Sequence, residues 1–273
     1  MKILRSLLLL SILVCPALAW NSPGHKVIAL IASSELSDEV NAQIVEILRH
    51  HPFPEARELL GASVWPDRIK EYPEYAHGTW HYANAPLFLD GKVHPTQDHG
   101  LVVQALQQNI EVLRSDSATK AEKAVALAWV IHLVGDVHQP LHAATSYTSE
   151  MPEGDRGGNE YHIRYLEEET NLHSFWDSAG GLFWKGNNGH DLEQVASHLG
   201  SLYTVDGMLA VTDPEVWKHE SHVLARYVAY PESQPDHAVS ESYTSLSRGI
   251  SKKRLALAGH RLAMVLRQIL AAE

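Results

Sequence analysis

The chain has 273 residues, of which 45% are hydrophobic and 20% are charged. This suits one large globular domain, or at most two, with enough apolar residues for a core that needs no disulfides. The net charge of −11 argues against a broad basic surface for nucleic acid. A polyanionic ligand would have to be attracted locally, and bound metal ions could supply that positive charge.

The N-terminus has the pattern of a cleaved export signal. Lys2 and Arg5 precede an apolar run at residues 7–14, which is too short to span a bilayer. A small-residue cleavage signature then ends at Ala19. The sequence therefore predicts a signal peptide at residues 1–19, and the alternative is an uncleaved N-terminal anchor.

Cleavage after Ala19 would make Trp20 the first residue of the mature chain and would remove Cys15, the only cysteine. An exported chain without thiols must be stabilised by its core or by metal. We expect a periplasmic or secreted domain at residues 20–273, of bacterial source. We also expect a monomer with no membrane anchor and no protein partner.

Helical patterns dominate the mature chain, because apolar residues recur at helical spacing. The segment 121–137 is so apolar that we expect a buried central helix there. In chain order, the predicted helices are residues 26–34, 38–50, 101–114, 121–137, 195–209, 215–230 and 241–270, the last of which could be two helices broken near Gly249.

Strand patterns are sparse. Residues 161–165 alternate between polar and apolar side chains, which predicts one strand of a small hairpin. Segments rich in Gly, Pro and Asn predict loops at residues 52–54, 83–95, 146–159 and 186–189. The expected fold is a mainly α, single-domain helical protein with a small β-hairpin and with loops that shape a cleft.

His132 and Asp136 carry the strongest chemical signal. They lie four residues apart in the most apolar segment, so they share one face of the predicted helix. This pair is either a zinc half-site or a structural ion pair. Pro140 should disrupt the helix and let His142 face a second metal. We expect His138 to orient a ligand, or to be a plain polar residue, rather than to bind metal.

Further candidates lie on both sides of that segment. His173 and Asp177 repeat the four-residue spacing among apolar neighbours, and this second copy favours metal binding. Asp67 follows a Trp-Pro pair in a turn, His81 stands between two aromatic residues, and His25 follows closely after the predicted mature terminus. Each of the last three alone has an ordinary structural interpretation, as a helix cap, a core histidine or a surface residue.

In their order and spacing, these residues resemble the ligand pattern of the zinc-dependent S1/P1 nucleases. The resemblance spans Trp20 to Asp177 and implies three zinc ions, two of them a close pair. The first would be bound by Asp67, His81, His132 and Asp136. The second would be bound by His25, the bridging Asp136, and the free amine and carbonyl of Trp20. The third would be bound by His142, His173 and Asp177, and the resemblance implies that Asp67 and Asp136 are the catalytic carboxylates.

The resemblance also indicates four substrate-binding residues. Tyr82 occupies the position of an aromatic residue that stacks on a base, and Lys70 that of a basic residue near the phosphate. Asn84 departs from the pattern, which has Asp contacting the base there, so base preference stays open. Asn159 belongs to a Gly-Gly-Asn turn beside the cleft. Each of the four also has an ordinary interpretation as a surface residue.

The implied function is a trizinc phosphodiesterase that hydrolyses single-stranded DNA and RNA to 5′-nucleotides and also acts as a 3′-nucleotidase. One alternative is a zinc-dependent phospholipase C, which shares the fold and most ligands but usually has Glu at the position of Asp177. Another is a non-catalytic zinc-binding protein with closed coordination. The Asp177 difference and the context of Tyr82 favour the nuclease.

Overall fold

The computed structural model describes residues 20–96, 100–186, 189–204, 211–230 and 235–271. The predicted signal peptide lies outside the described residues. The helices are α1 Ser22–Glu35, α2 Asp38–Leu48, α3 Leu59–Ala62, α4 Val102–Arg114, α5 Lys120–Asp136, α6 Leu172–Asp177, α7 Leu192–Leu202, α8 Pro214–Leu224 and α9 Glu241–Leu270. The strands are β1 Ala85–Phe88, β2 Ala144–Tyr147, β3 His162–Tyr165 and β4 Glu168–Asn171. The predicted mainly α fold is confirmed.

Helix α5 is the centre of the core, as its apolar sequence predicts. It begins with a capping box, in which the Thr119 hydroxyl accepts from the Glu122 backbone N–H and the Glu122 carboxylate accepts from the Thr119 backbone N–H. Every residue from Ala126 to Asp136 is buried. A helix without an exposed face needs neighbours on all sides, and α5 packs against α1, α2, α4 and α9.

Helix α9 runs unbroken for 30 residues, so the predicted break near Gly249 is wrong. A glycine lowers helix stability by only about 1 kcal/mol. The second half of α9 is buried almost continuously from Arg254 to Leu266, and this burial outweighs that cost. Further along the helix, Gly259 allows α1 to approach closely, because a Cβ there would lie 2.6 Å from Ile31.

Helix α7 ends at Leu202, so the predicted helix to residue 209 was too long at this end. Tyr203 leaves the helical conformation, and its carbonyl accepts a hydrogen bond from His260 of α9. Residues 205–210 lie outside the described part of the chain. The predicted helix at 215–230 is α8 followed by a π-helical turn, Ala225–Ala229. Of the helices described, none has both the length and the apolar character to span a bilayer.

Two short sheets complete the fold. Strands β3 and β4 form the predicted antiparallel hairpin. Strands β1 and β2 pair in parallel, with Ala85 opposite Ala144. The sequence predicts a loop for the whole of β1 and a loop that begins within β2. The two strands lack alternation, and their pairing is long-range. This pairing positions the site, because β1 closely follows His81 and β2 directly follows the 3₁₀ turn that carries His142.

Candidate metal centre

Five imidazole and carboxylate side chains meet at the C-terminal half of α5. His132 and Asp136 come from α5, His25 from α1, and Asp67 and His81 from two 3₁₀ turns, Trp65–Asp67 and Gly78–His81. His132 Nε2 lies 3.0 Å from His81 Nδ1 and 3.6 Å from Asp67 Oδ1. These residues form two overlapping groups that could hold metal, His25 with Asp67 and His132, and His81 with His132 and Asp136. We call them together the paired cluster.

The two carboxylate oxygens of Asp136 face different imidazoles. Oδ1 lies 3.3 Å from His25 Nε2, whereas Oδ2 lies 3.0 Å from His81 Nδ1 and 3.3 Å from His132 Nε2. Burial alone would raise the pKa of Asp136, but the neighbouring imidazoles, above all His132, hold it well below its ordinary value. Asp136 is therefore an ionised carboxylate that presents one oxygen to each side of the paired cluster.

The hydrogen bonds of His132 fix its ring. Nδ1 lies 2.9 Å from the carbonyl oxygen of Ser63, which can only accept, so Nδ1 carries the proton and Nε2 of the neutral ring is a bare lone pair. Burial lowers the pKa of His132, yet Asp136 and Asp67 outweigh it and raise that pKa to about 9. The paired cluster therefore stabilises positive charge at this ring, as a proton on Nε2 or as a metal ion in its place.

His25 stands on the opposite side of Asp136. Burial, and then the proximity of His132, lower the pKa of His25, which favours the neutral ring that binds metal. Its Nδ1 has no hydrogen-bond partner among the described residues, and its Nε2 has only the Asp136 carboxylate oxygen at 3.3 Å. A Cβ on Gly135 would lie 2.8 Å from His25 Nδ1, so the glycine leaves room for this ring. Buried nitrogens without partners are costly and are well suited to a metal.

His142, His173 and Asp177 form a second group, here called the single cluster. His142 Nδ1 donates to the carbonyl of His81 at 2.5 Å, and His173 Nδ1 donates to the carbonyl of Gly157 at 2.7 Å. In the neutral rings both Nε2 atoms therefore carry a lone pair, and the two atoms face each other at 3.1 Å. Two acceptors at this distance repel unless a cation lies between them.

The carboxylate of Asp177 completes the single cluster. Its Oδ2 lies 3.4 Å from His173 Nε2 and its Oδ1 lies 3.9 Å from His142 Nε2. Burial, followed by the charge of His173, lowers the pKa of His142 to about 3, whereas burial raises the pKa of Asp177 well above its ordinary value. A metal ion would satisfy both nitrogens and favour the ionised carboxylate.

His138 belongs to the same sequence motif but has other partners. Its Nδ1 donates to the Val134 carbonyl at 2.7 Å, and its Nε2 accepts from Arg261 Nη1 at 2.9 Å. Both ring nitrogens are used, and among the described residues His138 is in none of the groups that could hold a metal. Pro140 opens a 3₁₀ turn, Pro140–Ala143, and does separate His142 from His132 as the sequence predicts.

Trp20 and its neighbour are hydrogen-bonded to segments of both clusters. Its side chain is fully buried, and the indole Nε1 donates to the Gly135 carbonyl at 3.0 Å. The next residue, Asn21, donates its backbone N–H to the Asp177 carbonyl at 3.0 Å. The start of the described chain is therefore tied to segments that carry a residue of each cluster, Asp136 and Asp177.

The four predicted substrate-binding residues lie on the segments that border the clusters. Lys70 is exposed and follows closely after Asp67, and the half-buried Tyr82 follows His81 directly. Asn84 has a φ of 53°, a left-handed conformation that Asn tolerates better than most residues. The half-buried Asn159 donates its amide to the Arg156 carbonyl at 2.8 Å. Their role in substrate binding stays a prediction.

Sequence reasoning missed the groups that fix the ligand rings. The carbonyls of Ser63, His81 and Gly157 determine which ring nitrogen carries the proton, and a backbone carbonyl has no signature in a sequence. It also missed Gln139, which donates to Asp177. The signal available for Gln139 was its place between Asp136 and His142, because a polar residue that is buried there needs a partner.

Comparison with known proteins identifies the family of the chain. A family model described as S1/P1 Nuclease matches residues 20–271. The chain belongs to the S1/P1 nuclease family. The family membership confirms the predicted helical fold and the prediction of an enzyme that acts as a nuclease.

Plant and fungal proteins of the S1/P1 nuclease family resemble the chain. It is 27% identical to Endonuclease 4 of Arabidopsis thaliana over 287 residues, which covers 96% of this chain and 93% of that protein. It is 30% identical to Endonuclease 2 of the same plant over 172 residues, 58% of this chain and 55% of that protein. It is 27% identical to Nuclease S1 of Aspergillus oryzae over 170 residues, 58% and 53% of the two chains. The expected bacterial source stays a prediction.

Proposed function

We propose that this S1/P1 family nuclease is a trizinc phosphodiesterase that hydrolyses single-stranded DNA and RNA to 5′-nucleotides and also removes 3′-phosphates from nucleotides. One observation carries the proposal. Imidazole nitrogens converge with buried carboxylate oxygens in both clusters, and in the single cluster two imidazole Nε2 atoms face each other at 3.1 Å. Imidazole nitrogen with carboxylate oxygen is a typical donor set for zinc.

The donor set divides among three ions. We assign Asp67, His81, His132 and Asp136 to the first zinc, and His142, His173 and Asp177 to the third. The second zinc takes His25 and the shared Asp136, whose Oδ1 and Oδ2 face opposite sides of the paired cluster. Trp20, which is buried and bonded to Gly135, contributes its terminal amine and its carbonyl to the second zinc.

Bound zinc would supply Lewis-acid polarisation of the phosphate and lower the pKa of a coordinated water toward neutral. The chain's own residues hold and orient that centre. Asp136 and Asp67, the carboxylates assigned as catalytic, set the charge around the first zinc. The three zinc ions together carry more positive charge than the three carboxylates carry negative charge, so the centre is locally positive. This explains how a chain of net charge −11 can attract a polyanion.

Residues at the rim would position the substrate. We assign Tyr82, next to the zinc ligand His81, to stacking on a base, which is tolerant of sequence. Exposed Lys70 would contact a phosphate. Asn84 and Asn159 would contribute amide groups. Because the bases inside a duplex have no face free for an aromatic side chain, this assignment favours single strands.

The amine of Trp20 is available only after cleavage between Ala19 and Trp20. Metal binding would then depend on export to the periplasm or the medium, and cytoplasmic nucleic acids would be spared. A variant that retains one extra residue before Trp20 should lose one zinc, counted by native mass spectrometry. Three tightly bound zinc ions in that variant would contradict the role of the amine.

The function is tested with a panel of substrates. The zinc-loaded protein should release 5′-mononucleotides from denatured DNA and from RNA, and phosphate from a 3′-nucleotide. EDTA should abolish these activities and added zinc should restore them. Hydrolysis of lecithin vesicles, with denatured DNA left intact, would instead support a phospholipase C. Zinc binding without turnover of any of these substrates would support a non-catalytic protein.

A further inference from the structure

Gln139 is a fully buried side chain that the assignment of zinc ligands leaves without a role. We propose that Gln139 is the positioning residue of the single cluster, holding Asp177 so that one carboxylate oxygen is free for the third zinc. This inference rests on the proposed function.

The orientation of the Gln139 amide follows from its partners. The backbone N–H of Leu141 lies 2.6 Å from one amide atom of Gln139, and an N–H can only donate, so that atom is Oε1. The NH₂ group therefore faces Asp177, with Nε2 at 2.6 Å from Oδ1. Because both ends of the amide are engaged, the side chain cannot flip without losing both hydrogen bonds.

This contact leaves the two oxygens of Asp177 in different situations. Oδ1 is occupied by the amide donor, and Oδ2 points toward His173, 3.4 Å from Nε2. An amide donor is uncharged, so it orients the carboxylate without neutralising it as a Lys or Arg would. The negative charge of Asp177 is therefore left for a bound metal ion to balance, and a fixed oxygen is presented beside the facing nitrogens of His142 and His173.

The backbone of Gln139 also connects the two clusters. Its N–H donates to the Asp136 carbonyl at 3.0 Å, and its carbonyl accepts from the His142 N–H at 3.1 Å. One residue thus contacts the shared carboxylate residue of the paired cluster and two ligands of the single cluster. Loss of its side chain should loosen the single cluster and leave the paired cluster intact.

The test is the release of individual zinc ions from Gln139→Met, which keeps the length of the side chain but has no amide. Zinc per chain is counted by native mass spectrometry across a series of chelator concentrations. We expect one of three zinc ions to be lost at a free-zinc level about 10- to 100-fold higher than in the wild type, while two are retained. Asn109→Leu is the control, since it removes another buried amide, whose bond goes to the Ala105 carbonyl.

The outcomes separate this inference from the proposed function. A wild-type protein that does not bind three zinc ions contradicts the proposed function itself. Three zinc ions in the wild type, with unchanged release from Gln139→Met, contradict the role of Gln139 alone. Simultaneous loss of all three ions would indicate general loosening and would also overturn it. If Gln139→Met does not fold, Gln139→Glu keeps the acceptor for Leu141 and should show the same selective loss.

Discussion

Two polar networks meet at the C-terminal end of α5, and they compensate the cost of burying polar groups in opposite ways. The metal clusters bring lone pairs and carboxylates together. The second network, here called the arginine network, consists of Glu220 on α8, Arg254 and Arg261 on α9, and His138. It supplies its own positive charge, whereas the clusters need a cation from outside.

The arginine network pairs donors with acceptors. Arg261 donates to both oxygens of Glu220, at 2.6 and 2.8 Å, and Arg254 donates to Glu220 at 2.9 Å. Arg254 also donates to the His138 carbonyl at 3.0 Å and to the Ser221 hydroxyl at 2.8 Å. This network holds the turn that follows α5, the same turn from which Gln139 and His142 project.

The contrast between the two networks is clearest at His138 and His142. Both are buried histidines of one short motif, four residues apart. The Nε2 of His138 accepts from an arginine at 2.9 Å, whereas the Nε2 of His142 faces another lone pair at 3.1 Å. Burial and motif therefore do not distinguish a structural histidine from a candidate metal ligand, but the chemistry of the facing atom does.

The largest effect should come from Asp136→Asn, because an amide cannot give both sides of the paired cluster a charged oxygen. We expect the turnover of single-stranded DNA to fall by at least about 1,000-fold, as on loss of a key electrostatic group. Turnover is measured at saturating zinc. Asp116→Asn, at an exposed position, is the matched control, and near-normal turnover of Asp136→Asn would refute the assignment of this carboxylate.

Glu220→Gln should have a large effect on stability and little on the metal. Glu220 is partly buried, and removing its charge leaves two buried guanidinium groups uncompensated, which costs up to about 3–5 kcal/mol. Chemical denaturation should report that loss in the free energy of unfolding. The zinc content of the folded variant should stay at the wild-type value. Loss of zinc in the folded variant would show that the two networks are not separable.

Tyr82→Ala should weaken substrate binding more than catalysis. Stacking of a base on an aromatic side chain contributes about 1–3 kcal/mol, so we expect KM for short single strands to rise with kcat little changed. Steady-state kinetics on a trinucleotide gives both constants. Tyr72→Ala, at a more exposed tyrosine, serves as the control. An equal effect of the two substitutions on KM would contradict the assignment of Tyr82 to the substrate site.

A smaller effect concerns the acid stability of the arginine network. Burial alone would raise the pKa of Glu220, but Arg261 and Arg254 together lower it below its ordinary value of 4.5. A group whose pKa is lowered in the folded state stabilises that state at pH values above its ordinary pKa. This stabilisation is lost as the pH falls through the folded-state pKa. Between pH 5 and pH 3, Glu220→Gln should therefore lose less stability than the wild type. Denaturation curves at each pH test this, and equal acid slopes would contradict it.

Much of the fold could be predicted from periodicity. The apolar face of α2 and the all-round apolar character of α5 follow directly from the order of side chains. The pairing of β1 with β2 could not be predicted, since two four-residue strands carry little pattern and depend on a long-range partner. The continuity of α9 across Gly249 depends on burial against α1 and α5, which a local sequence pattern does not contain.

The clustering of the site residues was predictable from the sequence, but the partners that satisfy their hydrogen bonds were not. The spacing of His132 with Asp136, and of His173 with Asp177, indicated shared helical faces. The partner of His138 is Arg261, 123 residues further along the chain, and no local pattern connects the two. The carbonyls that set the proton positions of the ligand rings are equally invisible in the sequence.

The most direct test of the contrast between the two networks is an anomalous difference map, recorded at the zinc absorption edge from crystals of the zinc-loaded protein. We predict three peaks: two on opposite sides of Asp136 and one between His142 and His173. We predict no peak at His138. A map without density at the facing nitrogens of His142 and His173, or with a metal bound to His138, would contradict this account.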